Sequence, residues 1–455
     1  MERCKKTAKH HSITAALLAV LLMLLSGMQT GVVFAASEPP STQCDAVYMY
    51  DQNTGEVLYE KNADKTMTPA STTKIMTAAL VLENVDDLDA VVTVPGEAVF
   101  WIGSHMALKT GEQLTVRQLL SALMVCSAND AARVLAIYVA GSQDAFVDMM
   151  NAKAQEIGAY HTHYLNPNGY TESWDHCTTA RDLGIIVDYA FTVDGFADLV
   201  SLPSVSIPAT NKSEARYYRN TNLLLWDTRP SLTMYDGSAR APKYDGAFGV
   251  KTGMMGRAGH CLVAGAERDG TRLIVVCLKG SNGDDRFEDS IALFDWAFAN
   301  YETRQLVQPG MECGTVKVRG GDPMEVQAYC EDGVAVTRDL SIEGSNQFEI
   351  VPYTTVEAPL KAGDKVGYIR YTATNGEQAK VPLTVREDVP EGGFWTKYFI
   401  TNEEFRTIAV IAALCAVVIV LLGVVLVRSV RKKTRAKRQS AAQKETTDEN
   451  TGNAE

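Results

Sequence analysis

No C-x-x-C pair occurs anywhere in the 455 residues. That removes the simplest zinc and dithiol-redox motifs. G-x-S-x-G, H-E-x-x-H, Walker A and G-x-G-x-x-G sequences are missing as well, so the common signatures of esterases, zinc peptidases, nucleotide hydrolases and dinucleotide enzymes do not apply. The seven histidines are scattered. The close pair His161 and His163 has no further ligand nearby, and neither a metal nor an organic cofactor is expected. Positive charge is scarce. The formal net charge is −12, and residues 37–407 alone hold 31 basic and 50 acidic side chains, a net of −19. Such a surface excludes nucleic acid as a partner held by bulk charge; an anionic substrate group needs particular cations. Of nine cysteines, Cys4 falls in the basic leader and Cys415 in the apolar C-terminal run, and the seven others are an odd number. A fully paired disulfide framework is excluded; Cys313 and Cys330 are the one pair placed to bridge within a small domain.

Long apolar runs are confined to the two ends. Arg3, Lys5, Lys6 and Lys9 precede a mostly apolar stretch from Ile13 to Leu25, and "VFAAS" follows. Residues 1–36 therefore read as a secretory signal cleaved near Ala35 or Ala36. At the other end, "IAVIAALCAVVIVLLGVVLV" from Ile408 to Val427 carries no charge and matches one membrane span. "RSVRKKTRAKR" follows it. Because positive charge stays inside, residues 428–455 are expected as a basic cytoplasmic tail and the bulk of the chain on the extracytoplasmic side of the cell membrane.

Between the ends, the apolar patterning divides in two. Residues 37–300 open with a hairpin, "AVYMYDQNTGEVLYEKN", and continue with helical periodicity through 113–160 and 178–191. A strong hairpin around Asp269-Gly270 and a closing helix, "FEDSIALFDWAFAN", follow. This predicts an α+β domain, an antiparallel sheet flanked by helices. Residues 301–390 hold short β-branched runs broken by Gly and Asp turns, which predicts a small all-β domain. Residues 391–407 link it to the span at 408–427.

Three short elements can carry chemistry. They are Ser71-Thr-Thr-Lys74, Ser127-Ala-Asn129 and Lys251-Thr252-Gly253, in that order. Each alone is a weak signal; together they point to acyl transfer. A serine hydroxyl needs a base to attack at neutral pH. Spacing of three on a helix puts Ser71 and Lys74 on one face, and burial of that face, with Lys251 near, lowers the lysine pKa. Ser127 is placed to relay a proton. Asn129 offers a donor and an acceptor to a substrate amide, or caps the helix that follows. Lys251 and Thr252 lie on a predicted edge strand that can pair with an extended peptide and grip a carboxylate.

With those residues in place, the chain resembles the low-molecular-weight penicillin-binding proteins, serine-type D-alanyl-D-alanine carboxypeptidases of peptidase family S11. "PASTTKIMTA", "CSANDAA", "NTNLLL", "DGAFGVKTGMMGRAGHCLVAGAERDG" and "RFEDSIALFDWAF" carry the resemblance, over roughly residues 40–390. It implies a β-lactamase/transpeptidase-like fold. It implies catalytic Ser71, Lys74 and Ser127, with Asn129, Lys251, Thr252, Gly253, Met254 and Arg286 binding substrate. Ser71 and Met254 N–H groups would form the oxyanion hole, and Arg286 would hold the terminal carboxylate. The substrate implied is the D-Ala-D-Ala end of a peptidoglycan stem peptide, and the inhibitors are β-lactams. A D,D-endopeptidase or transpeptidase, a β-lactamase and a non-enzymatic peptidoglycan sensor are the competing readings. "KTGMMGRAGH" departs from the more polar residues usual after K-T-G.

Overall fold

Strand β1 (Ala46–Asp51) and strand β2 (Val57–Lys61) form the expected first hairpin. Helices α1 (Lys74–Asn84), α2 (Val116–Val125), α3 (Asn129–Ala140), α4 (Gln143–Glu156) and α5 (Ala180–Thr192) follow. Strands β3 (Ala247–Met255), β4 (Gly259–Arg268) and β5 (Thr271–Gly280) come next, then helix α6 (Asp285–Asn300). The computed structural model describes residues 38–341, 348–354, 356–372, 378–398 and 402–451; the expected signal at 1–36 lies outside them. The five strands make one antiparallel sheet in the order β2-β1-β5-β4-β3, the α+β architecture the patterning predicts.

Alternation along the strands explains why their sequences read as unbroken apolar runs. Ile274, Val276 and Leu278 of β5 pack into the core that includes helices α1 to α5. Leu273, Val275 and Cys277 face the opposite way, toward Phe287, Ile291 and Phe294 of α6. A sheet covered on both faces needs an apolar residue at every position. Caps fix several helix starts. Thr115 and Gln118 form a reciprocal capping box at α2, and Thr179 accepts from the Asp182 N–H at α5. The order leaves β3, with Lys251 to Met254, as an edge.

The described residues divide into two compact units: 38–306 with 335–341, and the remainder. In the second unit, β6 (Met311–Arg319), β7 (Glu325–Cys330), β8 (Phe348–Pro352), β9 (Val356–Glu357), β10 (Lys365–Thr372) and β11 (Gln378–Thr384) form a sheet ordered β8-β10-β11-β7-β6-β9. Only the β6–β9 pairing is parallel. Cys313 and Cys330 lie there as separate thiols. Helix α7 (Asn402–Thr451) contains the charge-free run. It is the one helix among the described residues long and apolar enough to cross a membrane. Phe394 and Tyr398 are exposed in a short turn before it, and the amphipathic ring of Tyr398 suits an interface.

Candidate active site

Ser71 sits in a single turn of 3₁₀ helix, Ala70–Thr73, that runs directly into α1. The sequence places it in the first turn of the α-helix itself; the tighter turn preserves the shared face with Lys74. Ala70 just before it has a φ of +48°, a conformation costing roughly 1–3 kcal/mol for a non-glycine residue. Surrounding contacts hold it there. The Thr73 hydroxyl donates to the Ala70 carbonyl (2.8 Å). A Cβ on Gly253 of β3 would stand 3.1 Å from the Pro69 carbonyl and 3.3 Å from the Ala70 Cβ. The glycine of K-T-G thus lets the edge strand close onto the turn that carries Ser71. Gly253, expected to bind substrate, makes its close approach to this turn.

Lys74 is fully buried. Its Nζ lies 2.9 Å from Ser71 Oγ, 2.8 Å from Asn129 Oδ1 and 2.6 Å from the Asn168 carbonyl oxygen. Asn129 Nδ2 donates to the Ile102 carbonyl (2.9 Å), which fixes the amide so that its oxygen faces Lys74. Both oxygens are therefore acceptors only. A neutral amine has two N–H groups for them, and its single lone pair is left for the Ser71 hydroxyl. Burial, and then the charge of Lys251, hold the Lys74 ammonium well below its ordinary pKa, in the direction that favours this neutral form. The site is thus arranged to draw a proton from Ser71 without histidine.

Asn129 is the first residue of α3, and Ala128 takes the cap position without a side-chain bond. The asparagine does not cap its helix; it orients Lys74. Ser127 is buried with a φ of +61°, so the chain turns sharply between α2 and α3. On β3, Lys251 is buried and its Nζ donates to the Thr252 carbonyl (3.0 Å). Burial, with Arg286 adding to it, brings Lys251 down to about 7. The Thr252 hydroxyl lies 2.6 Å from that of Thr221, and Met254 points outward, 66% exposed. Arg286 Nη1 donates to the carbonyls of Gly253 (2.9 Å) and Cys261 (3.2 Å), and its buried Nε has no partner. Among the described residues no carboxylate pairs with Arg286: Asp285 is taken by Ser281 and Asn282, and Asp289 by Gln43, Cys44 and Tyr235. The salt bridge that would make Arg286 merely structural is not formed.

Sequence reasoning missed the segment that closes the site from the other side. In "NPNG", the Asn168 carbonyl meets Lys74, and the Pro167 carbonyl accepts from the Thr77 hydroxyl (2.6 Å). Gly169 has a φ of +80°, and a Cβ there would lie 1.9 Å from the Ala70 carbonyl. His176 receives the Leu165 N–H on Nδ1 (3.0 Å), so its Nε2–H donates to Thr73 Oγ1 (2.8 Å). Burial lowers its pKa to about 4. The turn composition N-P-N-G was the one available signal; a backbone acceptor leaves no side-chain signature.

Away from this site, Cys44, Cys277 and Asp289 bring three donors within 4.8 Å, all buried. The Asp289 oxygens already accept from the Gln43 and Cys44 N–H groups and the Tyr235 hydroxyl. Its lone pairs are occupied, and the cluster reads as a clamp on the chain entering β1.

A hydroxyl held against a dehydrated amine, between a helical layer and an edge strand, defines an active-site-serine acyl-transfer enzyme. A family described as D-alanyl-D-alanine carboxypeptidase matches residues 33–282. One described as the C-terminal domain of penicillin-binding protein 5 matches residues 301–391. The D-alanyl-D-alanine carboxypeptidase DacC of Escherichia coli is 32% identical over 378 residues, 79% of this chain and 87% of its own length. DacF of Bacillus subtilis is 28% identical over 371 residues, 78% and 91% of the two chains. The structure of penicillin binding protein 5 from Haemophilus influenzae matches with a TM-score of 0.67 at 27% identity, covering 78% of this chain and 99% of that one. The chain belongs to the D-alanyl-D-alanine carboxypeptidase family and is a serine-type carboxypeptidase.

Proposed function

We propose that Ser71 attacks the D-Ala–D-Ala bond of a peptidoglycan stem peptide. Neutral Lys74 takes the Ser71 proton as the Oγ–carbon bond forms. The developing oxyanion accepts from the backbone N–H groups of Ser71 and Met254. Ser127 passes the proton to the leaving amine, terminal D-Ala departs, and water, activated in the same way, hydrolyses the ester to restore Ser71. The substrate lies along edge strand β3. Its terminal carboxylate is held by Thr252, Lys251 and Arg286, with Gly253 giving the strand its close approach and Asn129 keeping Lys74 aligned. A β-lactam acylates the same serine.

The observation that carries this reading is the placement of Lys74 Nζ beside Ser71 Oγ and two carbonyl oxygens; in the neutral amine those two oxygens take the N–H groups and the lone pair is left for Ser71. The β-lactamase alternative has little support. Glu172 is 75% exposed and lies 4.0 Å from Arg257, and Asp175 is exposed and bonded to Ser173. Neither offers a buried base for fast deacylation. The test is D-Ala release from a pentapeptide by wild type and by Ser71→Ala. Release by wild type alone is expected; equal slow release by both would overturn the assignment.

The basic leader, the apolar run in α7 and the basic tail support residues 1–36 as a cleaved signal. They support 37–300 as the catalytic domain, 301–390 as the β domain, 391–407 as linker, 408–427 as the span and 428–455 as a cytoplasmic tail. The catalytic domain would then face the cell wall.

A further inference from the structure

Apolar side chains grouped at a surface mark a binding site where scattered ones do not, and several are grouped around this active site. Trp101 is 64% exposed, Ile102 53%, Trp174 65% and Met254 66%, with Tyr170 beside them at 38%. Ile102, Tyr170 and Met254 each stand next to a group that builds the Ser71–Lys74 pair. The Ile102 carbonyl holds Asn129. Tyr170 donates its N–H to Asn168 Oδ1 (2.8 Å), and Asn168 holds Lys74. Met254 follows Gly253, which packs against Ala70. Two loops and the edge strand β3 thus turn apolar surface outward around one hydroxyl.

These rings are fixed rather than loose. The Trp101 indole N–H donates to the Leu108 carbonyl (3.4 Å). The Arg257 guanidinium lies 4.3 Å above the Trp174 ring and reaches the Glu172 carbonyl, so the second face of Trp174 is the one left free. Tyr170 meets Phe100 edge-on, 6.0 Å between centroids. Flat, oriented aromatic faces beside an exposed carboxylate (Glu172) and a guanidinium (Arg257) suit a ring that is apolar on its faces and hydroxylated at its rim. That is a pyranose sugar. A stem side chain of aliphatic character would need a pocket, and these residues stand open.

We infer that the aromatic rim of Trp101, Tyr170 and Trp174 binds the amino-sugar strand from which the stem peptide hangs, so that the enzyme prefers wall-linked to free peptide. This rests on the proposed reaction at Ser71. The geometry suits it. Four extended residues between the scissile bond and the sugar reach at most about 14 Å. Trp101 lies one residue beyond Ile102, whose carbonyl is two hydrogen bonds from Lys74 Nζ.

The test compares kcat/KM for D-Ala release from a free pentapeptide and from the same pentapeptide on its disaccharide, using the full chain in detergent. Wild type should prefer the disaccharide form by about tenfold, carried by KM, as for one added aromatic contact. Trp101→Ala and Trp174→Ala should bring the ratio toward one, and Trp101→Phe should keep most of it. An active wild type with a ratio near one, or alanine variants that lower both substrates equally, would overturn the sugar site alone. A wild type inactive on both substrates would instead overturn the carboxypeptidase assignment.

Discussion

Asn129→Asp tests the reading of Lys74 most directly. The substitution keeps size and shape but puts a carboxylate where Oδ1 now lies 2.8 Å from Nζ. Unit charges about 4 Å apart, centre to centre, attract by about 4 kcal/mol at an effective dielectric near 20. At 1.36 kcal/mol per pH unit, this raises the Lys74 pKa by about 3 units; burial of the new carboxylate offsets part of that. A neighbouring carboxylate favours the ammonium, so the neutral base forms only at higher pH. The acid limb of acylation should therefore move to higher pH, and the rate at pH 7 should fall by up to about 1000-fold. The second-order rate of labelling by a fluorescent penicillin, followed from pH 5 to 10, reads this out. Asn129→Ala is the control, since it lowers the rate without adding charge and should leave the limb in place. The aspartate also loses the Ile102 hydrogen bond, so melting temperature is followed in parallel. A limb at the wild-type pH in the folded Asp variant would refute the claim that a neutral Lys74 is the base.

Lys74→Ala should abolish penicillin labelling while circular dichroism remains native, at a stability loss of about 1–3 kcal/mol from unpairing the Asn129 and Asn168 oxygens; retained labelling would contradict the mechanism. Arg286→Ala should raise KM for the pentapeptide about tenfold while changing kcat less, as for lost ground-state binding; the reverse split would count against carboxylate recognition. Gly169→Ala should lower both melting temperature and acylation, because its Cβ would meet the Ala70 carbonyl at 1.9 Å and its φ is +80°; a strain of about 2 kcal/mol is the least expected, and a neutral outcome would show that the loop does not brace the nucleophile. His176 has a folded pKa of about 4, below its unfolded value of about 6.5. The unfolded chain binds the extra proton between these values, so this contribution is complete above pH 6.5 and about 3 kcal/mol of it is lost as pH falls to 4. Calorimetry of His176→Gln should show a shallower acid slope than wild type; identical slopes would exclude this source.

Much of this protein follows from local pattern. The strands of residues 247–280 were legible because a sheet buried on both faces demands apolar residues throughout, and Asp269-Gly270 supplies the hairpin turn. The Ser71–Lys74 pair was legible because helical spacing is a local property. The charge-free run in α7 needs no partner to be recognised. What lies between distant segments was not legible. Asn129 could equally cap a helix or orient a lysine until the fold brought Ile102 and Lys74 to its two ends. The role of Asn168 belongs to its carbonyl oxygen, which every residue has. Gly253 was marked by its motif, but only packing shows that it admits the Pro69–Ala70 turn. Arg286 has Asp285 and Asp289 near it in sequence, and only the tertiary structure gives both carboxylates to other donors. By itself the sequence determined which groups can react and which segments can be strand, helix or span, since those depend on residue type and near neighbours. The tertiary structure decided which of those groups are dry, paired and aimed at one another, because desolvation and hydrogen-bond partnership depend on segments far apart in the chain.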